Sequence, residues 1–504
     1  MAEPAAASQA LPAAVLVCLL AVVPLLVVLY LRRSRKPNLP PSPPGLPFLG
    51  NLHQLGELPH RSLRRLALKY GPLVYLNLGQ VPTLVISNAD MAQEILKTHD
   101  AHFCTRPTRV VTTRFSYGGL GMAFAPYSEG WRQLRKISML ELFSAKRVQS
   151  FRPIREQEMR VLVDTVATTA AAGRPVNLSE IFLCLYNNIT CRQAFGKRTS
   201  NDGECGRSKF HDLLMESIEL FGGFCASDFF PSMEWLNVLT GFHARLQKAF
   251  HFFDKFLEEE IESHLRRNAD DDSDFMSVLL RLQKDPSLGF NLTREHIKAV
   301  LVDVFFAGSD TSASTTEFGM LELARHPRVM KKAQEEVRRV VGNKPMVEES
   351  NLAELSYLKL VVKEILRFRP SVPLPLPHES MRDVKVCGYD IPAKTMVFIN
   401  VWAICRDPNF WKDPEVFWPE RFEGSELQYK GQDFQYIPFS SGRRICPGMN
   451  LGVTAVELAL ANLLHRFDWE LPDGMKPEDI DTTESFGLVV HLKSPLMLKA
   501  TPAF

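Results

Sequence analysis

Between Thr293 and Arg325 the chain runs for about 33 residues without proline, and Pro327 follows almost at once. At helical rise that run makes a rod of roughly 50 Å, enough to cross a whole domain, so the remaining chain must pack around it. Thr293 suits the N-cap position and Glu295 the positive end of the helix dipole. The middle, Val304-Phe305-Phe306-Ala307-Gly308-Ser309-Asp310-Thr311-Ser312, is unusual for a core helix. Gly308, Ser309 and Thr311 weaken or compete with helical hydrogen bonds where an all-apolar surface would be more stable. A break there can open a groove for water or dioxygen, with Ala307 and Thr311 on one face. The same residues also fit a kinked core helix with a satisfied threonine.

A second constraint lies near the C-terminus. The loop Phe439-Ser440-Ser441-Gly442-Arg443-Arg444-Ile445-Cys446-Pro447-Gly448 holds one thiol directly before an apolar, helix-forming run from Met449 to about Leu464. The free N–H groups of a helix N-terminus supply positive potential to a thiolate. Gly442 and Gly448 allow tight turning and close approach to a flat ligand. Arg444 can pair with a carboxylate on that ligand. The nine cysteines are an odd number with no CxxC spacing, which disfavours a disulfide framework or structural zinc and suits a reducing compartment.

Two further pairs have helical spacing. Glu364 and Arg367 stand at i,i+3 in the periodic run Leu352–Phe368, and Pro419-Glu420-Arg421-Phe422 later supplies another arginine. Trp131 and Arg135 stand at i,i+4, a geometry that lets both reach one carboxylate. The stretch Leu73–Ile86 alternates apolar and polar residues around Gly79-Gln80, which predicts a hairpin. Strand-like pieces fall at Val384–Ile399 and Gly487–Leu498, and most of the chain from Met91 to Arg369 has a helical pattern.

These frames resemble the cytochrome P-450 superfamily. Phe439-x-x-Gly442-x-Arg444-x-Cys446-x-Gly448 resembles its heme-binding signature, Ala307-Gly308-x-Asp310-Thr311 its oxygen-activating motif, and Glu364-x-x-Arg367 with Arg421 its core cluster. Tyr436-Ile437-Pro438 and Pro373-Leu374-Pro375-Leu376-Pro377-His378-Glu379 look most like the plant microsomal A-type group. The resemblance implies a mainly α fold with small β-sheets in one large catalytic unit. It implies heme b, with Cys446 as the iron ligand and Phe439, Gly442 and Ala307 against the macrocycle. Trp131, Arg135, Arg444 and His378 would meet the propionates, and Thr311 and Asp310 would deliver protons to the dioxygen site. The expected enzyme is a monooxygenase that inserts one oxygen atom into a small, largely apolar substrate of specialised metabolism. A heme-thiolate dehydratase or isomerase acting on an oxime or peroxide is the alternative. No flavin or nicotinamide fingerprint occurs, so the resemblance implies electrons from NADPH through a separate NADPH–cytochrome P-450 reductase. The substrate pocket is expected from Phe103–Phe124, Phe306–Thr311, Val372–Leu376 and Phe486-Gly487-Leu488. Phe318 and Pro375 depart from the group's usual pattern and bear on specificity.

Leu11 to Leu31 carry no charge, and about 20 apolar residues span a bilayer. Arg32, Arg33, Arg35 and Lys36 follow at once, which predicts a lumenal N-terminus and a cytosolic body. The expected organisation is a signal anchor with basic flank over 1–36, a proline-rich hinge over 37–59 and a catalytic unit over 60–504. That places the protein on the endoplasmic reticulum membrane, in contact with lipid. The net charge of +2 gives no reason to expect a nucleic-acid partner.

Overall fold

The computed structural model describes residues 37–198, 209–222, 225–267, 273–472 and 474–504. The expected membrane anchor lies outside the described residues. Among the described residues, no helix is long and apolar enough to cross a membrane.

The expected hairpin forms as β1 (Leu73–Leu78) and β2 (Val81–Ile86), antiparallel, with Leu78 opposite Val81 across Gly79-Gln80. Gly79 takes a φ of 62°, which glycine adopts without steric cost. Strands β3 (His378–Glu379) and β4 (Met396–Ile399) complete the sheet in the order β1-β2-β4-β3, with β4 parallel to β2. A three-stranded sheet near the C-terminus places Met497–Pro502 between Val176–Asn177 and Phe467–Glu470.

Helices occupy most of the remaining chain. Five position the site: α1 (Glu129–Glu141), α2 (Leu178–Phe195), α3 (Arg294–Arg325), α4 (Ser356–Phe368) and α5 (Met449–Arg466). Thr293 caps α3, its side chain accepting from the His296 N–H, and His296 returns a bond to the Thr293 backbone. The reciprocal partner is therefore His296, with Glu295 in the first turn as expected. From Ile297 to Ala324 every residue of α3 is buried except Ala307, Gly308 and Thr311. Small residues let neighbours approach closely. A Cβ on Gly308 would lie 3.0 Å from Thr190 Oγ1 of α2, and one on Gly319 would lie 3.0 Å from Ile365 Cδ1 of α4 and 3.3 Å from Leu460 of α5.

The expected break in α3 does not occur. The helix is continuous, and its hydroxyls return to their own backbone: Thr311 Oγ1 donates to Ala307 O at 2.7 Å, and Thr315 Oγ1 to Thr311 O at 2.8 Å. The propensity penalty of Gly, Ser and Thr is about 1 kcal/mol or less per residue. Full burial of each large apolar side chain contributes about 1.5–3 kcal/mol, and α3 buries Val304, Phe305, Phe306, Phe318, Met320 and Leu321 among others. Burial on this scale overrides local preference.

Glu364 and Arg367 form a fully buried pair, with Arg367 Nε 2.7 Å from Oε2 and Nη2 2.8 Å from Oε1. Glu364 Oε1 also accepts from Arg421 Nε at 3.1 Å and Trp418 N at 2.8 Å. Arg367 spends its other donors on the carbonyls of Cys405, Pro414 and Val416. Removing one member strands the other charge in the core. Glu364→Ala should therefore lower stability by about 3–5 kcal/mol, read as a lower urea midpoint, while the same substitution at the exposed Glu426 should leave it in place.

Candidate active site

The Cys446 loop is held by its own backbone and by α1. Cys446 N–H donates to Phe439 O at 3.1 Å, and Arg135 of α1 donates to the Ile445 carbonyl beside the thiol. Burial pushes the Cys446 thiol up, while the N–H groups of Gly448 and Met449 at the start of α5 and the Arg135 charge draw it down. Burial is the larger effect, so the thiol lies above its ordinary value, and the helix N-terminus offsets only part of that cost. Phe439 packs edge-on against Tyr429, with centroids 5.6 Å apart. Gly442 has the expected positive φ of 70°, but the reason differs from the one read in the sequence. A Cβ there would sit 2.5 Å from Leu96 O and 2.7 Å from Asp100 Oδ1, so protein packing demands the glycine.

Three arginines, Arg106, Arg135 and the loop's own Arg444, converge here. Arg444 donates to the carbonyls of Cys104 (2.7 Å), Met122 (3.1 Å) and Ala125 (2.7 Å), and its guanidinium lies 3.9 Å from the Trp131 ring centroid. Trp131 Nε1 donates to Met122 O at 2.9 Å, so the tryptophan supports Arg444 and the loop after residue 120. Arg106, which sequence reasoning missed, donates to Ala123 O at 3.1 Å and to Leu376 O and Pro377 O at 2.6 and 2.9 Å. Among the described residues, no carboxylate lies within ion-pair distance of Arg106, Arg135 or Arg444. Burial and mutual repulsion lower the pKa of Arg106 well below its ordinary value, and burial brings Arg444 down to about 10. An anion placed among them would relieve both costs.

His378 joins the cluster in a different role. Its Nδ1 lies 2.8 Å from Phe103 O, which can only accept, so Nδ1 carries the proton. Burial beside Arg106 and Arg444 holds the ring well below the ordinary histidine range. Its Nε2 is then an acceptor, and the neutral ring offers a carboxylate no donor. Arg106, beside it, carries both charge and N–H donors. Its one signal was an arginine before proline in the apolar loop Phe103–Phe124.

Along the otherwise buried stretch of α3, Ala307 is exposed and Thr311 and Gly308 are half-buried, with the other side of Gly308 packed against Thr190 of α2. Asp310 lies on the adjacent face and is 1% exposed. One turn before Ala307, Asp303 Oδ2 accepts from the N–H groups of Met122 and Ala123, tying that loop to the helix. Burial raises Asp303 to about 6 despite those bonds. Above the opening, Phe115, Phe221 and Phe306 meet with centroids 5.0–5.5 Å apart, and Phe124 stacks on Phe221 at 5.3 Å. Phe221 was not foreseen as a lining residue. Its helix, Lys209–Gly222, touches the C-terminal turn, where a Cβ on Gly222 would lie 2.7 Å from Gly487 Cα. Phe318 is 1% exposed with the Arg369 guanidinium 5.6 Å from its ring, so it belongs to the core.

A cysteine at a helix N-terminus, buried cations that lack an anion and an uncovered helix face together fit a flat, dianionic, iron-bearing cofactor. Comparison with known proteins agrees. The family model for Cytochrome P450 matches residues 40–500, and the chain belongs to that family. It is 51% identical over 457 residues to "Cytochrome P450 71A1" of Persea americana, covering 90% of this chain and 91% of the relative. It is 47% identical to "Strychnine-11-hydroxylase" of Strychnos nux-vomica, covering 90% and 89%. A solved zebrafish cytochrome P450 superposes with a TM-score of 0.76 at 26% identity, over 89% of this chain and 99% of that one. Within the family the chain is of the plant A-type, and it is a monooxygenase of the oxidoreductase class.

Replacing Arg106 with Met removes charge-assisted hydrogen bonding of about 1.5–3 kcal/mol. The variant should lose heme to excess apomyoglobin roughly tenfold faster or more, whereas Arg132→Met, at an exposed pair with Glu129, should not.

Proposed function

We propose that this enzyme is a membrane-anchored monooxygenase of specialised metabolism, inserting one atom of dioxygen into a small, largely apolar substrate. Its electrons come from NADPH through a separate reductase. The observation that carries the reading is the Cys446 thiol at the N-terminus of α5, beside arginines Arg106, Arg135 and Arg444 whose donors meet only carbonyls. Heme b bound through the Cys446 thiolate supplies dioxygen activation, with thiolate ligation favouring O–O cleavage. Arg106, Arg135 and Arg444 would hold the propionates, Trp131 holds Arg444 in place, and Phe439 and Gly442 fix the shape of the cysteine loop. Ala307, exposed on α3, would leave room for the bound group. Thr311 holds a hydroxyl beside the dioxygen site, which must leave the Ala307 carbonyl to donate there. Asp310 supplies it with protons.

The cluster of Phe115, Phe124, Phe221 and Phe306 supports an apolar, ring-bearing substrate, because aromatic walls stack on such groups and exclude water. A relative named as a hydroxylase supports hydroxylation over rearrangement.

The proposed endoplasmic reticulum anchor has support from one face of the body. Phe48 is 91% exposed, with Leu46 and Leu49 beside it in the proline hinge. Leu49 O accepts from Gly79 N–H, and Gln80 N–H donates to Phe229 O, so the hinge adjoins the segment leading to Trp235, Val238 and Leu239, all exposed. Apolar groups gathered this way suit contact with lipid. Arg132, Lys136 and Arg443 are the basic residues we infer could meet an acidic reductase surface; Arg132 and Arg443 pair with Glu129 and Asp100, while Lys136 is exposed.

Reduced protein under carbon monoxide should show the red-shifted Soret band that gives the family its name, and Cys446→Ser should abolish it. A band that survives the substitution refutes the ligand assignment. Screening apolar aromatic compounds for a low-to-high-spin Soret shift identifies substrates. With one of these, Thr311→Ala should release peroxide at the expense of product; unchanged coupling would remove Thr311 from proton delivery.

A further inference from the structure

Asp310, Ser314 and Glu317 fall at i, i+4 and i+7 and therefore share one face of α3. Residues Val489–Leu492 of the C-terminal segment lie along that face. Ser314 Oγ donates to Val490 O at 2.6 Å, and Val490 N–H donates to Ser371 O at 2.9 Å, which holds the segment in place. The next residue, His491, brings Nε2 to 3.0 Å from Asp310 Oδ1. The contact is an ion pair off the line of an aligned hydrogen bond, so both Asp310 oxygens keep open lone pairs although the residue is buried. His491 is about one-third exposed, whereas Asp310 is 1% exposed. The pair therefore leads from accessible space to a carboxylate adjacent to Thr311.

The charges around the imidazole are consistent. Burial opposes its protonation, but Asp310 and then Glu317 outweigh this and raise His491 above the ordinary histidine range. Glu317 is itself raised by burial and bonded to Ser179 Oγ. On the paired strand, Glu484 is already engaged by Arg61 and Arg369. Among the described residues, His491 is thus the basic group that faces this acidic stretch of α3.

We propose that His491 is the proton-supplying partner of Asp310, a positioning residue on the C-terminal segment that connects the buried carboxylate to water. The proposal rests on the monooxygenase reading of the same site. Only a proton moves. Once the imidazole turns to align its Nε2–H with Asp310 Oδ1, 3.0 Å away, that N–H bond breaks as an O–H bond forms, leaving a neutral imidazole and a carboxylic acid. The acid passes its proton toward Thr311, and the imidazole takes another from water. No electrons are exchanged and no co-reactant is consumed. Supply needs the imidazolium, so it is full at low pH and falls as pH rises through the raised histidine pKa.

The test uses the heme-loaded full chain with ring-15N-labelled histidine and the variants His491→Gln, His491→Lys and Asp310→Asn. The resonance lost in His491→Gln identifies His491. Its titration midpoint should lie above that of free histidine and fall by at least one pH unit in Asp310→Asn. An unmoved midpoint overturns the pairing. With NADPH, purified reductase and dioxygen, and no added substrate, wild-type oxygen consumption should decline with pH around the same midpoint. His491→Gln should consume oxygen at least threefold more slowly and lose that inflection, and His491→Lys should recover rate with the inflection moved out of range. An inflection absent from wild type, or retained in His491→Gln, refutes the role and leaves His491 a structural tether. Failure of the monooxygenase reading is distinguishable, because the carbon monoxide band or all oxygen consumption would then be missing from the wild type.

Discussion

The buried Arg367 guanidinium is the constraint on which the catalytic half depends. Desolvating such a charge costs several kcal/mol, and this fold offsets it with the two oxygens of Glu364 and three backbone carbonyls from Cys405, Pro414 and Val416. Those carbonyls must converge, so the irregular stretch between 405 and 421 has one path. From there Trp411 Nε1 donates to Gln435 O, and Tyr436 OH ties the chain back to α4 by donating to Lys363 O. The Cys446 loop begins three residues later. Its thiol is thus placed by an ion network that takes no part in chemistry.

The arginines on the other side of the loop show the same physics left incomplete. Arg106, Arg135 and Arg444 have their donors held by carbonyls, as Arg367 does, yet lack the carboxylate that Glu364 provides. Carbonyl dipoles orient a guanidinium without cancelling its charge. The protein therefore keeps a positive potential ready for an anionic cofactor, and cofactor binding contributes to folding stability by linkage. Structural and functional cations differ here in whether the chain itself supplies the anion.

Much of this was legible in the sequence. Helical spacing placed Ala307 with Thr311 and Glu364 with Arg367, and Gly79-Gln80 marked the hairpin turn. Less legible was anything that required a distant chain segment. His378 reads like a donor until the Phe103 carbonyl, 275 positions away, dictates its tautomer. Gly442 reads like a cofactor contact until the Leu96 carbonyl is found against it. Arg106 and His491 stand in no periodic frame, so local pattern had no means of selecting them. The groove in α3 was foreseen for a different reason: small side chains open it, and the backbone stays helical throughout.

The sequence by itself determined the helices, the turn chemistry and which thiol stands at a helix N-terminus, because these follow from local spacing and capping. Tertiary structure alone decided which cations remain uncompensated, which face of α3 stays bare and which histidine meets Asp310. Those outcomes depend on charge and volume brought together across hundreds of residues, and a buried charge or a missing neighbour has no meaning until the chain has closed around it.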